Sequence, residues 1–151
     1  MPLSIRRAGP ADAAVILEFN CLLARESEGK TLDVAVVGPG VAAGLADPRK
    51  SVYFLAEQDD VAIGQIMFTT EWSDWRNGWF WWIQSVYVRP EARRRGVFAA
   101  LFEHVQQAAR ADGQVIGLRL YVERDNHIAQ ESYRRMGMDA TAYLVFERYP
   151  L

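Results

Sequence analysis

The 151 residues amount to about one domain, 50% apolar and 24% charged, and 17 Lys and Arg against 19 Asp and Glu leave a net charge of −2. That balance argues against a generic nucleic-acid or anionic-membrane binder, and one cysteine, Cys21, with two histidines, His104 and His127, offers neither a disulfide nor a cysteine-rich metal site. The opening MPLSIRRAGPADAA lacks an apolar leader and no run nears the roughly 18 apolar residues of a membrane span, so the expectation is a cytoplasmic protein without a metal.

Leu3 to Ala8 reads as a short strand. Gly9-Pro10 then sets a proline in a first helical turn, and Val15, Phe19, Leu22 and Leu23 recur at helical spacing, which predicts a helix from Pro10 to Glu26. A second short helix is expected from Pro39 to Ala46, ended by Asp47-Pro48; the Gly38-Pro39-Gly40 cluster argues against one helix running back to Leu32. Val52 to Glu57 and Val61 to Thr70 are rich in strand formers and are separated by Gln58-Asp59-Asp60, a tight-turn composition, while Trp79 to Val88 follows Asn77-Gly78. Three antiparallel strands in meander order result. From Gly96 onward Val97, Leu101, Val105 and Ala109 form an apolar helical stripe closed by Gly113. Val115 to Val122 reads as a strand, and Asp125 or Asn126 caps a helix presenting Ala129, Tyr133 and Met136. Gly137 ends that helix, and Thr141 to Glu147 alternates like a last strand. No repeat, linker or low-complexity tract interrupts the order β α α β β β α β α β, so residues 1–151 read as a single mixed α/β domain.

The chemistry concentrates between Val86 and Ala99, where a strand ending Val86-Tyr87-Val88 passes through Arg93-Arg94-Arg95-Gly96 into the helix that begins at Val97. A helix N-terminus leaves N–H groups unpaired and carries roughly half a positive charge, so an anion is favoured there. Gly96 allows close approach to the backbone, and the three arginines add charge-assisted hydrogen bonds in a chain that is acidic overall. A diphosphate suits that arrangement, although a basic run between strand and helix is commonly no more than a solvated turn.

Arg93-Arg94-Arg95-Gly96-Val97-Phe98 resembles the Q/R-x-x-G-x-G/A acetyl-coenzyme A motif of the GCN5-related N-acetyltransferase (GNAT) superfamily, and it lies behind a V-x-V strand and a proline as the motif does there. Asn126, Ala129, Tyr133 and Gly137 resemble the N-x-x-A-x-x-x-Y-x-x-x-G pattern of that family's next helix, and the order of elements agrees along the whole chain. The resemblance implies a GNAT-like fold, a mostly antiparallel central sheet flanked by helices. It also implies acetyl-coenzyme A as cofactor, with Arg93 to Ala99 on the pyrophosphate, Val86, Tyr87 and Val88 beside the pantetheine where neighbouring strands splay, and Asn126 and Ala129 adding contacts. One position departs from the motif: Phe98 stands where Gly or Ala is usual. Phe98 and Phe102 lie four apart beside Leu101 and Val105, which favours a core position for Phe98 that leaves the backbone cradle intact; turned toward the ligand, Phe98 would make the pyrophosphate sit differently.

The same resemblance makes Tyr133 the candidate general acid: expulsion of a thiolate needs a proton, and a phenol with a pKa near 10 can supply it. No base can be copied from the family, because Trp79 to Ser85 contains no carboxylate. Glu26, Glu28 and Glu71 are the alternatives, each also readable as a solvated surface acid. Five tryptophans fall between Trp72 and Trp82; alternation sends Phe80 and Trp82 to one face and Trp79 and Trp81 to the other, so they cannot share one core layer. With Glu26, Glu28 and Glu71, residues Trp75 and Trp82 would line a site for a cationic amine, or form a homodimer contact.

The leading expectation is an N-acetyltransferase that moves acetyl from acetyl-coenzyme A to a primary amine of a small molecule or peptide in a ternary complex, with no nucleic acid or membrane as partner. A non-catalytic acyl-coenzyme A binding module and an interaction protein using the tryptophan hairpin are the alternatives.

Overall fold

Strand-forming runs separated by tight turns assemble the centre of the molecule. In the computed structural model, which describes residues 2–151, β1 (Ser4–Arg7), β2 (Val52–Gln58), β3 (Val61–Ser73), β4 (Gly78–Val88) and β5 (Val115–Leu120) form one sheet in that order. Its pairs are antiparallel except β4–β5, which is parallel. Asp59 and Asp60, at φ 53° and 62°, close the β2–β3 turn, and Asn77, at φ 49°, closes the next. Asn and Asp tolerate this left-handed region because their short side chains bond locally.

Alternation along β2 divides the core. Tyr53 and Leu55 face α1 (Ala13–Glu28), where they cluster with the fully buried Ile16 and Phe19. Phe54 faces the other way, its ring 4.6 Å from His104 of α3 (Val97–Asp112) and 6.3 Å from Phe68. Phe68 stacks on Trp81 at 3.8 Å, so Trp81 extends this second layer with Leu101, Phe102 and Val105 of α3. Each such buried side chain contributes about 1.5–3 kcal/mol of transfer free energy.

The second helix departs from expectation. α2 spans Val34–Ala46, with Pro39 inside it rather than at its start. Asp33 caps it, accepting from the Ala35 N–H at 3.0 Å. Pro39 forgoes only one intrahelical bond, and Gly38 brings the helix close to Leu17 of α1. The cluster that reads as a breaker therefore sits in a helix whose first turn is held by a cap and whose inner face is held by packing.

The chain divides into two compact units, one reaching Leu120 and the other Tyr121–Leu151. The second contains α4 (His127–Arg135), capped by Asn126 and followed by Gly137 at φ 89°. The mixed α/β class and the order from β1 to α4 agree with the sequence reading. Among the described residues, 139–151 join no ladder, so the closing strand expected over 141–147 has no partner within the chain. No helix among the described residues is long and apolar enough to cross a membrane.

Candidate active site

β4 and β5 run together from Trp79↔Val115 to Ile83↔Leu120 and then part, while β4 continues through Gln84 to Val88. On the β5 side, the backbone of that last stretch has no strand partner among the described residues. On the other side, Met67 faces Gln84 and Gln65 faces Tyr87, so Ser85 and Val86 together oppose Ile66. This is a β-bulge, and Ser85 pays for it with a non-glycine φ of 52°.

A buried polar chain holds the bulge. Gln65, fully buried, donates from Nε2 to the Ser85 carbonyl at 2.9 Å and to Asn20 Oδ1 at 2.7 Å. Asn20 in turn shares a side-chain hydrogen bond with Tyr53, whose phenol is pushed up in pKa by burial. Gln65 Oε1 has no hydrogen-bond partner among the described residues. Leaving such an atom buried is unfavourable by about 1–3 kcal/mol, which the two bonds from the same amide help to offset.

Beyond Val88 the chain turns through a single 3-10 turn, Pro90–Ala92, towards α3. Arg93 folds back. Its Nε donates to the Val88 carbonyl at 2.9 Å, a terminal nitrogen reaches Glu26 Oε2 at 2.6 Å, and its guanidinium lies 5.6 Å from the Tyr87 ring centroid. Tyr87 Oη donates to the same Glu26 at 3.4 Å, and its pKa is raised by burial first and by the Glu26 charge second. Arg93 thus ties the end of α1 to the end of the open strand. Arg94 and Arg95 are exposed, and among the described residues neither forms an ion pair. Arg94, at φ 63°, and Gly96, at φ 78°, bend the loop into α3, which begins at Val97 without a side-chain cap. A Cβ built on Gly96 meets nothing within 4 Å, so the backbone there faces open space. The ring of Phe98 lies 6.2 Å from that of Phe102, edge to face, and is half-buried, outside the fully buried core.

The five expected acceptor residues fall into separate groups. Glu71 accepts from Trp82 Nε1 at 3.3 Å and from Arg119 at 2.8 Å, and Arg119 lies 3.7 Å over the Phe80 ring. Glu26 belongs with Arg93 and Tyr87. Glu28 pairs with Lys30, at 3.8 Å, and Trp75 stands 87% exposed in the β3–β4 turn. The sequence reading passed over Arg119, Gln65 and Asn20. Alternation in Val115–Leu120 sets Gly117 and Arg119 on one face, and Gln65 is the one polar residue within Ala62–Phe68; these were the available signals.

In the second unit Asn126 Oδ1 accepts from the Ala129 N–H at 3.1 Å, a helix cap. Ala129, Tyr133 and Met136 form the half-buried stripe of α4. Burial raises the Tyr133 pKa, so its phenol stays protonated through neutral pH.

Comparison with known proteins adds a family. The acetyltransferase (GNAT) family is matched over residues 24–138. The crystal structure of a possible acetyltransferase from Clostridium difficile 630 is 43% identical, with a TM-score of 0.94 over 100% of this chain and 99% of that one. A predicted acetyltransferase with acetyl-CoA from Clostridium acetobutylicum shares the fold at 16% identity, with a TM-score of 0.81 over 97% of this chain and 96% of that one. A mycothiol acetyltransferase of Mycolicibacterium gilvum (strain PYR-GCK) is 43% identical over 58 residues, which are 36% of this chain and only 19% of that protein.

Proposed function

The chain belongs to the GNAT acetyltransferase family, and from that premise we propose that it moves acetyl from acetyl-coenzyme A to a primary amine by direct attack in a ternary complex. It is a GNAT-type N-acetyltransferase; the donor, the acceptor and the route are this proposal. One observation carries it: the backbone of Gln84 to Val88, open beyond the last β4–β5 pair, leads directly into a basic loop and an uncapped helix N-terminus. Acetyl-coenzyme A supplies an activated acyl thioester. Arg94 and Arg95 with the N–H groups of Val97, Phe98 and Ala99 would hold its pyrophosphate, and the strand at Val86, Tyr87 and Val88 would pair with its pantetheine amides. Arg93, from the same run, is assigned to the pyrophosphate as well, while its Nε bond to the Val88 carbonyl holds the strand end. The family pattern would also give Asn126 and Ala129 a part in holding the cofactor.

Tyr133 holds a proton at Oη throughout neutral pH and is the group we assign to protonate the departing sulfur. The acceptor is an amine of a small molecule or peptide, met by the wall of Trp82, Glu71 and Arg119, with Glu26 at the strand end. We take the chain to work in the cytoplasm as one domain over 1–151.

The test is free-thiol release from acetyl-coenzyme A across polyamines, amino acids, aminoglycosides and peptides. Turnover with one class identifies the acceptor; coenzyme A binding without turnover on any of them would make the protein a binding module. Calorimetry on Gly96→Val tests the loop. Its Cβ enters open space beside the proposed phosphate, so affinity falls at least tenfold in a chain that stays folded despite about 1–2 kcal/mol of left-handed strain. Unchanged affinity would remove the pyrophosphate assignment.

A further inference from the structure

The wall that leads up to the parting of β4 and β5 is built from charge stacked on aromatic rings. Phe80, Trp82 and Gln84 share one face of β4. Glu71 of β3 is paired with Phe80, and Arg119 of β5 with Trp82. The Arg119 guanidinium lies 3.7 Å over the Phe80 ring and 5.9 Å from that of Trp82. Gly117 makes room for this seat, since a Cβ there would lie 2.7 Å from Phe80 Cε1. A second guanidinium, that of Arg76, lies 5.4 Å from the centre of the same ring.

Arg119 has binding capacity to spare. A guanidinium presents a planar fork of N–H donors, and the bond to Glu71 Oε1, at 2.8 Å, engages Nη1. Nε and the other terminal nitrogen are donors suited to a second carboxylate, and the ring beneath fixes their direction. Glu71 Oε1 is already shared with Trp82 Nε1. Two guanidiniums against one carboxylate make this end of the wall cationic, which attracts an anion and repels the second ammonium of a polyamine.

Distance narrows the ligand further. The pantetheine pairing assigned to Val86–Val88 brings the thioester end towards Gln84, the first residue of β4 past its last pair with β5. At about 3.3 Å per residue, Trp82 lies about 7 Å and Phe80 about 13 Å back along the strand. A free α-amino acid acetylated at its α-amine is too short to reach Arg119, whereas an extended peptide of roughly two to four residues spans the gap. We propose that this wall binds a short peptide-like amine that carries its own carboxylate, the amine at the parting of the strands and the carboxylate on Arg119. On the acetyl-transfer reading above, on which this rests, that molecule is the acceptor.

Calorimetry on the full chain saturated with coenzyme A, with triglycine and triglycine amide as probes, reads the subsite, and turnover of acetyl-coenzyme A on the same pair reads the chemistry. The acid should bind at least about tenfold more tightly than the amide, with a Michaelis constant lower by a similar factor. Arg119→Gln should bring that ratio to one or below. Glu71→Gln, which removes the competing carboxylate, should raise it. A Glu71–Arg119 pair that merely fastens β5 to β3 would instead leave the ratio unchanged in both variants, and that result overturns the proposal. Equal binding of acid and amide by the parent, or tighter binding of spermidine, overturns it as well, and the parent's ratio decides the matter even where Arg119→Gln fails to fold. Acid preference in binding without turnover on either probe keeps the carboxylate site and removes the transfer reading; turnover on both without preference does the reverse.

Discussion

Gln65 decides the shape of the open strand. It is buried between α1 and β4, and its amide fixes the carbonyl of Ser85, the residue that bends β4 by standing at φ 52°. Gln65→Leu keeps the volume but removes both hydrogen bonds, leaving Asn20 Oδ1 and the Ser85 carbonyl short of a donor. The expected cost is about 1–3 kcal/mol in urea unfolding, with the Michaelis constant for acetyl-coenzyme A raised severalfold and turnover changed less, as suits a positioning residue. An equal fall in stability with both kinetic constants untouched would make the network purely structural. The role proposed for Tyr133 is different. Tyr133→Phe keeps the ring and lowers turnover by roughly 10-fold to 10,000-fold with acetyl-coenzyme A affinity nearly intact. Because burial raises the phenol pKa, the acid form persists above the ordinary value near 10, so the alkaline limb of the turnover profile lies higher than that and disappears in the variant. Motif spacing singled out Tyr133 and Gly96 in the sequence as candidates for the roles proposed here. The bulge was not, because Ser85 carries no mark of a left-handed residue and nothing local announces that Gln65 will reach it.

At the scale of elements, the site exists because two parallel strands separate while the helix that follows begins close by. Gly64 permits that proximity: a Cβ there would lie 3.0 Å from the Tyr87 carbonyl oxygen and 3.3 Å from Val97 Cγ1, at the junction of β4 with α3. Neither neighbour is the flexible end of a long side chain. Gly64→Val should therefore displace the junction, costing about 1–3 kcal/mol in stability and weakening coenzyme A binding, as measured by calorimetry. Binding equal to the parent's would show that strand and helix are placed independently. Strands and their turns were read well because Asn and Asp at the turns and a period of two are local signals. The start of α2 was missed for the opposite reason: Asp33 is a legible cap, but its weight against Gly38-Pro39-Gly40 is set by packing on α1, which no window of sequence contains. The parting of β4 from β5 is likewise non-local, since it depends on where Leu120 ends its pairing.

Across the whole molecule, stability and chemistry are unevenly distributed. The buried apolar core runs from Ala8 to Ala109, and α4 buries none of its residues fully, although it carries the candidate acid. The unit that ends at Leu120 thus holds the sheet, the open strand and the loop proposed for the phosphate, while Tyr121–Leu151 holds Asn126, Tyr133 and an exposed apolar segment. A chain ending at Leu120 should keep a cooperative thermal transition and near-ultraviolet dichroism, because the contacts that resist unfolding lie within it. Its coenzyme A affinity should stay within about tenfold of the parent, since the proposed phosphate contacts remain, whereas turnover should fall at least as far as in Tyr133→Phe. Two outcomes would contradict this division. A fragment that loses its cooperative transition would make α4 and the residues after it part of one folding unit with the sheet, and a fragment that still turns over near the parent's rate would take the acid role away from Tyr133.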